Sequence, residues 1–507
     1  MKLLAISSCQ HDSNISYFDG DTVHYHKLER TKQVKHYGSD NIWEWKKQIK
    51  EIWNITEDDV DEIGIVFDPR YRLSKLELAN PNDHALKINL VIPDSGNIFL
   101  DKNKTWFVKH HYSHALSGWM MNSKEPDVCI VIDGLGDARP WSVFKNDVLI
   151  GSGKIEFGSI GWAMRDAGRH LKIQFDYEDD IAGKVMGLQS YGNVNDGYLN
   201  HLSQFDSMEH INEIFSIDRW NQYNGDSLLS NSTLLDWIRT VHFKMEQVMI
   251  NFFSKYASED ESIFYSGGVA QNVIWNTALK NKFKNLTIAP HSSDEGLSLG
   301  ALEYLRRKNK LEKFKIKNFP YIQSDEAPKI SPALDMIQYA ARLLSQGKVI
   351  AWYQGNGEAG PRALGNRSIL MDPRIRNGKE KINSVKRREN YRPFGASVLK
   401  RFSNEYFEIE YDDYYMLHVS KVKVDTLSAI THIDGTCRVQ TVDENSNPIF
   451  NSLLEEFYKI TGCPVLLNTS LNLAGKPIAG YPEAAKQLFA ETNIDSVFIG
   501  NECYNKN

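Results

Sequence analysis

The strongest constraint on the fold is a three-strand unit that occurs twice. Near the N-terminus KLLAISS, HDSNISYF, a DGD turn and TVHYHKLE read as strand, polar loop and strand, tight turn, strand. Further along, DVCIVID, the loop GLGDA, RPWSVF, the turn KND and VLIGSGKIE follow the same order. Each copy opens on an apolar strand that ends in a polar loop, and amphipathic segments follow each of them, WEWKKQIKEIW after the first and TLLDWIRTVHFKMEQVMINFFSKYA after the second. A sheet with one apolar face needs helices to cover it, so the pattern predicts a duplicated α/β domain with a site between its halves.

That duplication is the architecture of the actin-like ATPases. The stretch SIFYSGGVAQNVIWNTALKN reads as strand, Gly-rich turn and helix, with Ser266, Gly267 and Gly268 at the crossover. Two readings stand side by side: a loop and helix N-terminus open to a phosphate or ribose, or a tight turn that needs glycine for positive φ. Residues 306–332 are charged, carry three prolines and show no apolar period, so they read as a linker. A new α/β pattern starts with the helix ALDMIQYAARLLSQG and the strand KVIAWYQG and runs to the C-terminus. The expected division is therefore 1–305, a connecting 306–332 and 333–507.

A net charge of −6 gives no overall attraction to nucleic acid or an anionic membrane, so such a partner must be argued locally. The five cysteines are odd in number, far apart and without a CxxC, which argues against a disulfide framework or a zinc knuckle. No stretch approaches a membrane span and the N-terminal apolar run is short for a signal sequence, so the expectation is a cytoplasmic protein.

Two places concentrate chemistry. In KHHYSHALSG, His110 and His114 have the four-residue spacing that puts two imidazoles on one helix face, either as metal ligands or as a polar helix start. In the C-terminal part, GNGEAGPRALGNRS, KINSVKRRENYRPFG, Arg438 and NTSLN put cations, hydroxyls and amides beside rigid Gly/Pro turns. Residues 374–392 hold eight Lys/Arg against two Asp/Glu, which fits a compact phosphate pocket, a solvated basic helix or a nucleic-acid patch. The Pro-containing turns favour the pocket.

The blocks HHYSHA, DGLGD, GKVMGLQSYG, SGGVAQN, SDEGLSLGA, GPRALGNRSILMDPR, KRRENYRPF, THIDGTCRVQTV and NTSLNLAGKPI resemble, in order, the signature blocks of the NodU/CmcH-type O-carbamoyltransferases. The resemblance implies an actin-like N-terminal domain related to the threonylcarbamoyl-transfer proteins, followed by a YrdC-like α/β C-terminal domain. It implies that the C-terminal domain makes carbamoyl adenylate from carbamoyl phosphate and ATP with Mg2+. The N-terminal domain then carries the carbamoyl group to a hydroxylated acceptor beside a metal, usually Fe2+ or another first-row divalent ion.

Carried onto this sequence, the resemblance implies His110, His114, Asp133 and Asp294 as metal ligands, with His111 off their shared face. It implies Ser266, Gly267, Gly268 and Asn272 as the nucleotide loop, His11 or Asp12 as the base, and Lys35 and His36 at the acceptor. Arg362, Lys386, Arg392, Arg438, Ser470 and Asn472 would hold carbamoyl phosphate and ATP, with Asn468 beside them. Two departures bear on the nucleotide pose: Asn356, Gly357, Glu358 and Ala359 stand where the family usually has Arg-Met-Glu-Phe, and Leu471 and Lys476 replace a Phe and a Glu. The chain is also on the short side for the family. Two other functions remain to be separated, carbamoylation of a hydroxymethylated base in nucleotide or DNA, and an actin-like sugar kinase or regulatory ATPase. A homodimer is compatible with either.

Overall fold

The structure, a computed structural model, describes residues 1–9, 11–39, 42–67, 85–87, 104–121, 124–216 and 228–506. The first sheet contains β1 (Leu3–Ser8), β2 (Asn14–Phe18), β3 (Val23–Lys27), β4 (Glu62–Phe67), β5 (Ala85–Lys87) and β6 (Thr105–Val108), in the order β3-β2-β1-β4-β6-β5. The second contains β7 (Val128–Gly136), β8 (Arg139–Lys145), β9 (Val148–Ser152), β10 (Ile263–Ser266) and β11 (Leu286–Ile288), in the order β11-β10-β7-β8-β9.

Strands β1 to β3 form an antiparallel meander, and β4 and β6 extend it in parallel from β1. Strands β7 to β9 form the same meander, with β10 and β11 parallel to β7. The duplication expected from sequence is therefore present in topology and direction, and the domain is an actin-like α/β pair. Every residue of β1 is buried, as a central strand with helices on both faces requires. The halves meet on one core in which Leu3 and Ala5 of β1, Val131 of β7, Leu116, and Leu297, Leu302 and Leu305 pack together.

The third sheet contains β12 (Ile350–Tyr353), β13 (Arg367–Met371), β14 (Gly395–Leu399), β15 (Val419–Lys421), β16 (Thr436–Val442), β17 (Val465–Ser470), β18 (Ser496–Ile499) and β19 (Glu502–Asn505). Its order is β15-β16-β14-β17-β13-β12-β18-β19, with parallel and antiparallel pairs mixed. Helices Leu334–Ser345 and Pro448–Thr461 pack on it and on each other.

The segment between these units is not a free tether. The helix Leu297–Lys308 runs past position 305, and Phe314, Tyr321 and Ile322 beyond it are buried. Gln323 bridges in parallel to Tyr25 of β3 and antiparallel to Gly357. The pairing runs through Gln323 and Lys315 and not through the prolines, so composition alone could not reveal the docking. Among the described residues, no helix is long and apolar enough to cross a membrane.

Candidate metal centre and anion pocket

The two equivalent loops, after β1 and after β7, approach each other across the halves. Asp133 ends the apolar run of β7. Next to it, Gly136 lets the short helix His110–Leu116 lie against the strand, because a Cβ there would be 2.4 Å from the His110 ring and 2.5 Å from the His111 ring. Asp137 holds the start of that helix, taking the His110 N–H at 3.0 Å and the His111 N–H at 2.9 Å.

His110 and His114 then turn the same way. Their Nε2 atoms are 3.1 Å apart; Asp133 Oδ2 is 3.2 Å from the first, and Asp294 Oδ1 is 3.2 Å from the second and 3.4 Å from the first. One donor atom from each of the four residues lies within 4.8 Å of every other, and all four side chains are buried. Donors bonded to one ion at about 2.1 Å sit roughly 3 Å apart, so this set fits a divalent first-row cation, and such an ion would offset two buried carboxylates. Burial opposes charge on Asp294, but His110, His114 and His11 overcome it and hold the carboxyl well below the usual range. Asp133 is held down in the same way by His110 and His114, against burial and Asp294. Both carboxylates are thus in the ligating form. His111 stands apart and pairs its Nδ1 with Ser142 Oγ at 2.7 Å.

His11 is the member of this group that faces the cleft, with 38% of its side chain exposed. Its Nδ1 is 3.2 Å from Asp12 Oδ2 and its Nε2 3.8 Å from Asp294 Oδ2. Burial opposes a charge on His11, but Asp12 and then Asp294 raise its pKa well above the ordinary value; a cation on Asp294 would offset the second contribution. His36 is pinned at both nitrogens, Nδ1 3.1 Å from Asp12 Oδ1 and Nε2 3.4 Å from Asp180. Against burial, these partners push its pKa up to about 10, which makes it a cation and not a base. Lys35 pairs with the same Asp180.

Sequence reading missed a buried set beneath these groups. Lys27 Nζ is 3.0 Å from Asp12 Oδ1 and 3.1 Å from Glu29 Oε1, and contacts Glu295, the neighbour of Asp294. In HKLERTK these charges look like a solvated face; only the position at the end of β3, an inward strand, gives a signal.

The Gly-rich crossover is built around the same centre. Gly267 has φ +96°, and a Cβ there would be 2.2 Å from Ile132 O. The Gly268 N–H donates to Asp133 Oδ1 at 2.9 Å, and Ser266 Oγ donates to Ser292 O at 3.0 Å. Asn272 caps the helix Val273–Lys282, accepting the Trp275 N–H at 3.2 Å, while its amide pairs with His242 Nε2 at 3.0 Å. The loop therefore orients Asp133 of the His/Asp cluster, and Asn272 is engaged by the helix it starts.

In the C-terminal unit, Arg362, Lys386, Arg388, Arg392 and Arg438 act electrostatically on one another. Burial and then Arg438 and Arg392 lower the Arg362 pKa, while Glu295 opposes the drop. Lys386 is lowered by burial, Arg388, Arg392 and Lys35, and Arg388 by burial, Arg392 and Arg438. Cations that depress one another suit an anion between them; of their own partners one is a carboxylate, Glu389 at 3.7 Å from Arg392, and Arg388 donates to Asn383 Oδ1 at 2.9 Å. Lys386 Nζ donates to Ser470 Oγ at 3.1 Å and to Asn472 Oδ1 at 2.5 Å, which joins three of the residues expected to act together. Asn468 instead pairs with Ser397 Oγ at 2.9 Å inside the sheet. Glu358 was read as part of a departure; its Oε1 accepts the N–H groups of Leu364, Asn366 and Arg367 at 2.8, 2.9 and 3.1 Å, so it shapes the loop that presents Arg362.

The family model described as Carbamoyltransferase N-terminus matches residues 2–302, and that described as Carbamoyltransferase C-terminus matches residues 341–506. The chain belongs to the carbamoyltransferase family. The nodulation protein NolNO of Sinorhizobium fredii is 30% identical to this carbamoyltransferase over 481 residues, covering 85% of this chain and 68% of its own length. The 3'-hydroxymethylcephem-O-carbamoyltransferase of Streptomyces clavuligerus is 34% identical over 258 residues, 49% of each chain. Among solved structures, the activator of the 2-hydroxyisocaproyl-CoA dehydratase from Clostridium difficile aligns with 62% of this chain at 11% identity and a TM-score of 0.37, a similarity too remote to argue from. The carbamoyltransferase is a transferase enzyme with a buried His/Asp cluster able to hold a metal ion.

Proposed function

We propose that this carbamoyltransferase is an ATP-dependent O-carbamoyltransferase working in two steps. In the C-terminal unit carbamoyl phosphate, water and ATP give carbamoyl adenylate, phosphate and pyrophosphate. In the N-terminal unit the acceptor oxygen attacks the carbamoyl carbon, the bond to AMP breaks, and AMP leaves. The observation that carries this reading is that the two centres are packed together: a Cβ on Gly360, two residues before Arg362, would be 2.3 Å from the oxygen of Pro290, four residues before Asp294, and Lys184 of the first unit pairs at 2.6 Å with Glu389, between Lys386 and Arg392.

Arg362, Lys386, Arg392 and Arg438 neutralise phosphate charge as pyrophosphate departs, a task of positioned cations that needs no covalent nucleophile, and Mg2+ accompanies ATP. His110, His114, Asp133 and Asp294 would hold the metal, Fe2+ or a similar divalent ion, which would supply Lewis-acid polarisation and placement. His11 Nε2, with Nδ1 held by Asp12, takes the acceptor proton in molecules whose ring is neutral, a form that Asp12 and Asp294 disfavour and that a cation on Asp294 would make more abundant. Lys35 and His36 supply fixed positive charge at the acceptor side. Cations that lower one another's pKa suit a small phosphate ligand, so the basic stretch lends no separate support to a nucleic-acid acceptor.

Incubation with ATP, carbamoyl phosphate and a library of hydroxylated acceptors, including a hydroxymethylated nucleotide and DNA, tests this by mass. A gain of one carbamoyl group on an alcohol with AMP release is expected. Phosphoryl gain on the acceptor, or AMP release that does not need carbamoyl phosphate, would remove the reading.

A further inference from the structure

We propose that Lys27 is a positioning residue for transfer: its ammonium, locked between Asp12, Glu29 and Glu295, sets the Asp12 carboxylate against His11 Nδ1. The inference rests on the transfer step proposed above. Lys27 is the last residue of β3 and 3% exposed, so it touches no substrate and acts only through its partners. Those partners come from three places: Asp12 from the loop after β1, Glu29 from the helix Leu28–Lys32, and Glu295 from the turn that begins with Asp294. The backbone that carries the ammonium is itself fixed, because the Lys27 N–H donates to Gln323 Oε1 at 3.0 Å.

Asp12 shows what the ammonium does. Its backbone stands at φ +52°, and its oxygens are shared out: Oδ1 lies 3.0 Å from Lys27 and Oδ2 lies 3.2 Å from His11. Both oxygens are also 3.1 Å from His36 Nδ1. His36 thus competes for the whole carboxylate. Lys27 holds one oxygen and leaves the other turned to His11. Without that cation three carboxylates face one another in a buried space with Arg30 3.9 Å from one of them, and His36, which reaches both Asp12 oxygens, competes with His11 for a carboxylate that nothing holds in place. A buried ion pair is weak evidence of stability, so the role of Lys27 must be read in a rate and a geometry, not in a melting temperature.

The test uses the full chain as wild type, Lys27→Met, Lys27→Arg, Asp12→Asn and the double variant Lys27→Met/Asp12→Asn. For Lys27→Met, pyrophosphate release from ATP and carbamoyl phosphate is expected within about twofold of wild type. The kcat of transfer should fall on the order of 100-fold with little change in acceptor KM. Lys27→Arg should recover about tenfold of that loss. If Lys27 works through Asp12, the double variant is no slower than Asp12→Asn; losses that multiply would overturn the inference. So would transfer by Lys27→Met at the wild-type rate. Should wild type transfer nothing, the proposed function falls, and the crystal structure of Lys27→Met decides the inference separately: Asp12 turned from His11 supports it, and an unchanged Asp12–His11 contact sinks it. If Lys27→Met does not fold, Lys27→Gln/Glu295→Gln, which removes one charge of each sign, carries the same readouts.

Discussion

His110 Nε2 lies 3.1 Å from His114 Nε2, a separation at which two imidazole lone pairs repel unless a cation or a proton is shared between them. The two aspartates close the set, so loss of one imidazole removes a ligand without disturbing the C-terminal unit. His114→Ala should lower affinity for a divalent ion on the order of 100-fold and stop transfer, while pyrophosphate release continues. Metal analysis of the dialysed variant beside a pyrophosphate assay checks this. Wild type stripped with a chelator, freed of it and assayed with Mg2+ restored should reproduce the same division of effects.

Arg438 sits at the opposite centre, on β16, where burial and Arg392 lower its pKa. In the proposed reaction it faces a phosphate, and among the described residues no hydrogen bond or ion pair joins it to the His/Asp cluster. Arg438→Ala should reduce carbamoyl adenylate formation by a factor of about 100 to 1,000, the cost of removing one positioned donor from a developing charge, with bound metal unchanged. Equal loss of metal and adenylate would mean that the two centres do not divide the work.

Much of this arrangement is legible in the chain, and the exceptions have a common cause. The meanders β1–β3 and β7–β9 are readable because strand alternation and turn residues are local signals. His110 and His114 are readable as a pair by spacing, whereas Asp133 and Asp294 reach them only through the fold and had to come from the family resemblance. Lys27, Glu29, Arg30 and Glu295 were invisible, since charged residues in a row are normally solvated, and here Arg30 is 2% exposed and Glu295 2% exposed. The glycines at 267 and 268 read equally as a nucleotide loop or as a tight turn that needs positive φ, and Gly267 at φ +96° meets the second. Their strongest reason is closer contact, with Ile132 O and Asp133 Oδ1. Gln323 escaped because its role is to pair with backbone on two sides, and a hydropathy pattern carries no trace of that.

Glu358 stands where the family pattern keeps a Glu between altered neighbours, and three backbone N–H groups depend on its one oxygen Oε1. Leaving buried donors without a partner costs about 1–3 kcal/mol each. Glu358→Ala should therefore destabilise the C-terminal unit by several times that of Glu358→Gln, which keeps an acceptor oxygen. Urea midpoints of the two variants make the comparison, and the Ala form should also bind ATP more weakly because the loop carrying Arg362 loses its support.

His242 offers a pH dependence away from both centres. Its ring is 2% exposed, lies 4.6 Å from the Trp275 ring, and accepts from the Asn272 amide at 3.0 Å. Burial, and after it Arg239, push its pKa down to about 3 from an ordinary 6.5. The unfolded chain therefore binds this proton at a higher pH than the folded one. Stability from this residue is complete above pH 6.5 and is lost as pH falls toward 3, at up to about 1.4 kcal/mol per pH unit. In His242→Gln, whose amide oxygen can still accept from Asn272, the fall of the urea midpoint between pH 6 and 4 should be shallower by the equivalent of one proton. An unchanged slope would mean that His242 is charged in the folded protein.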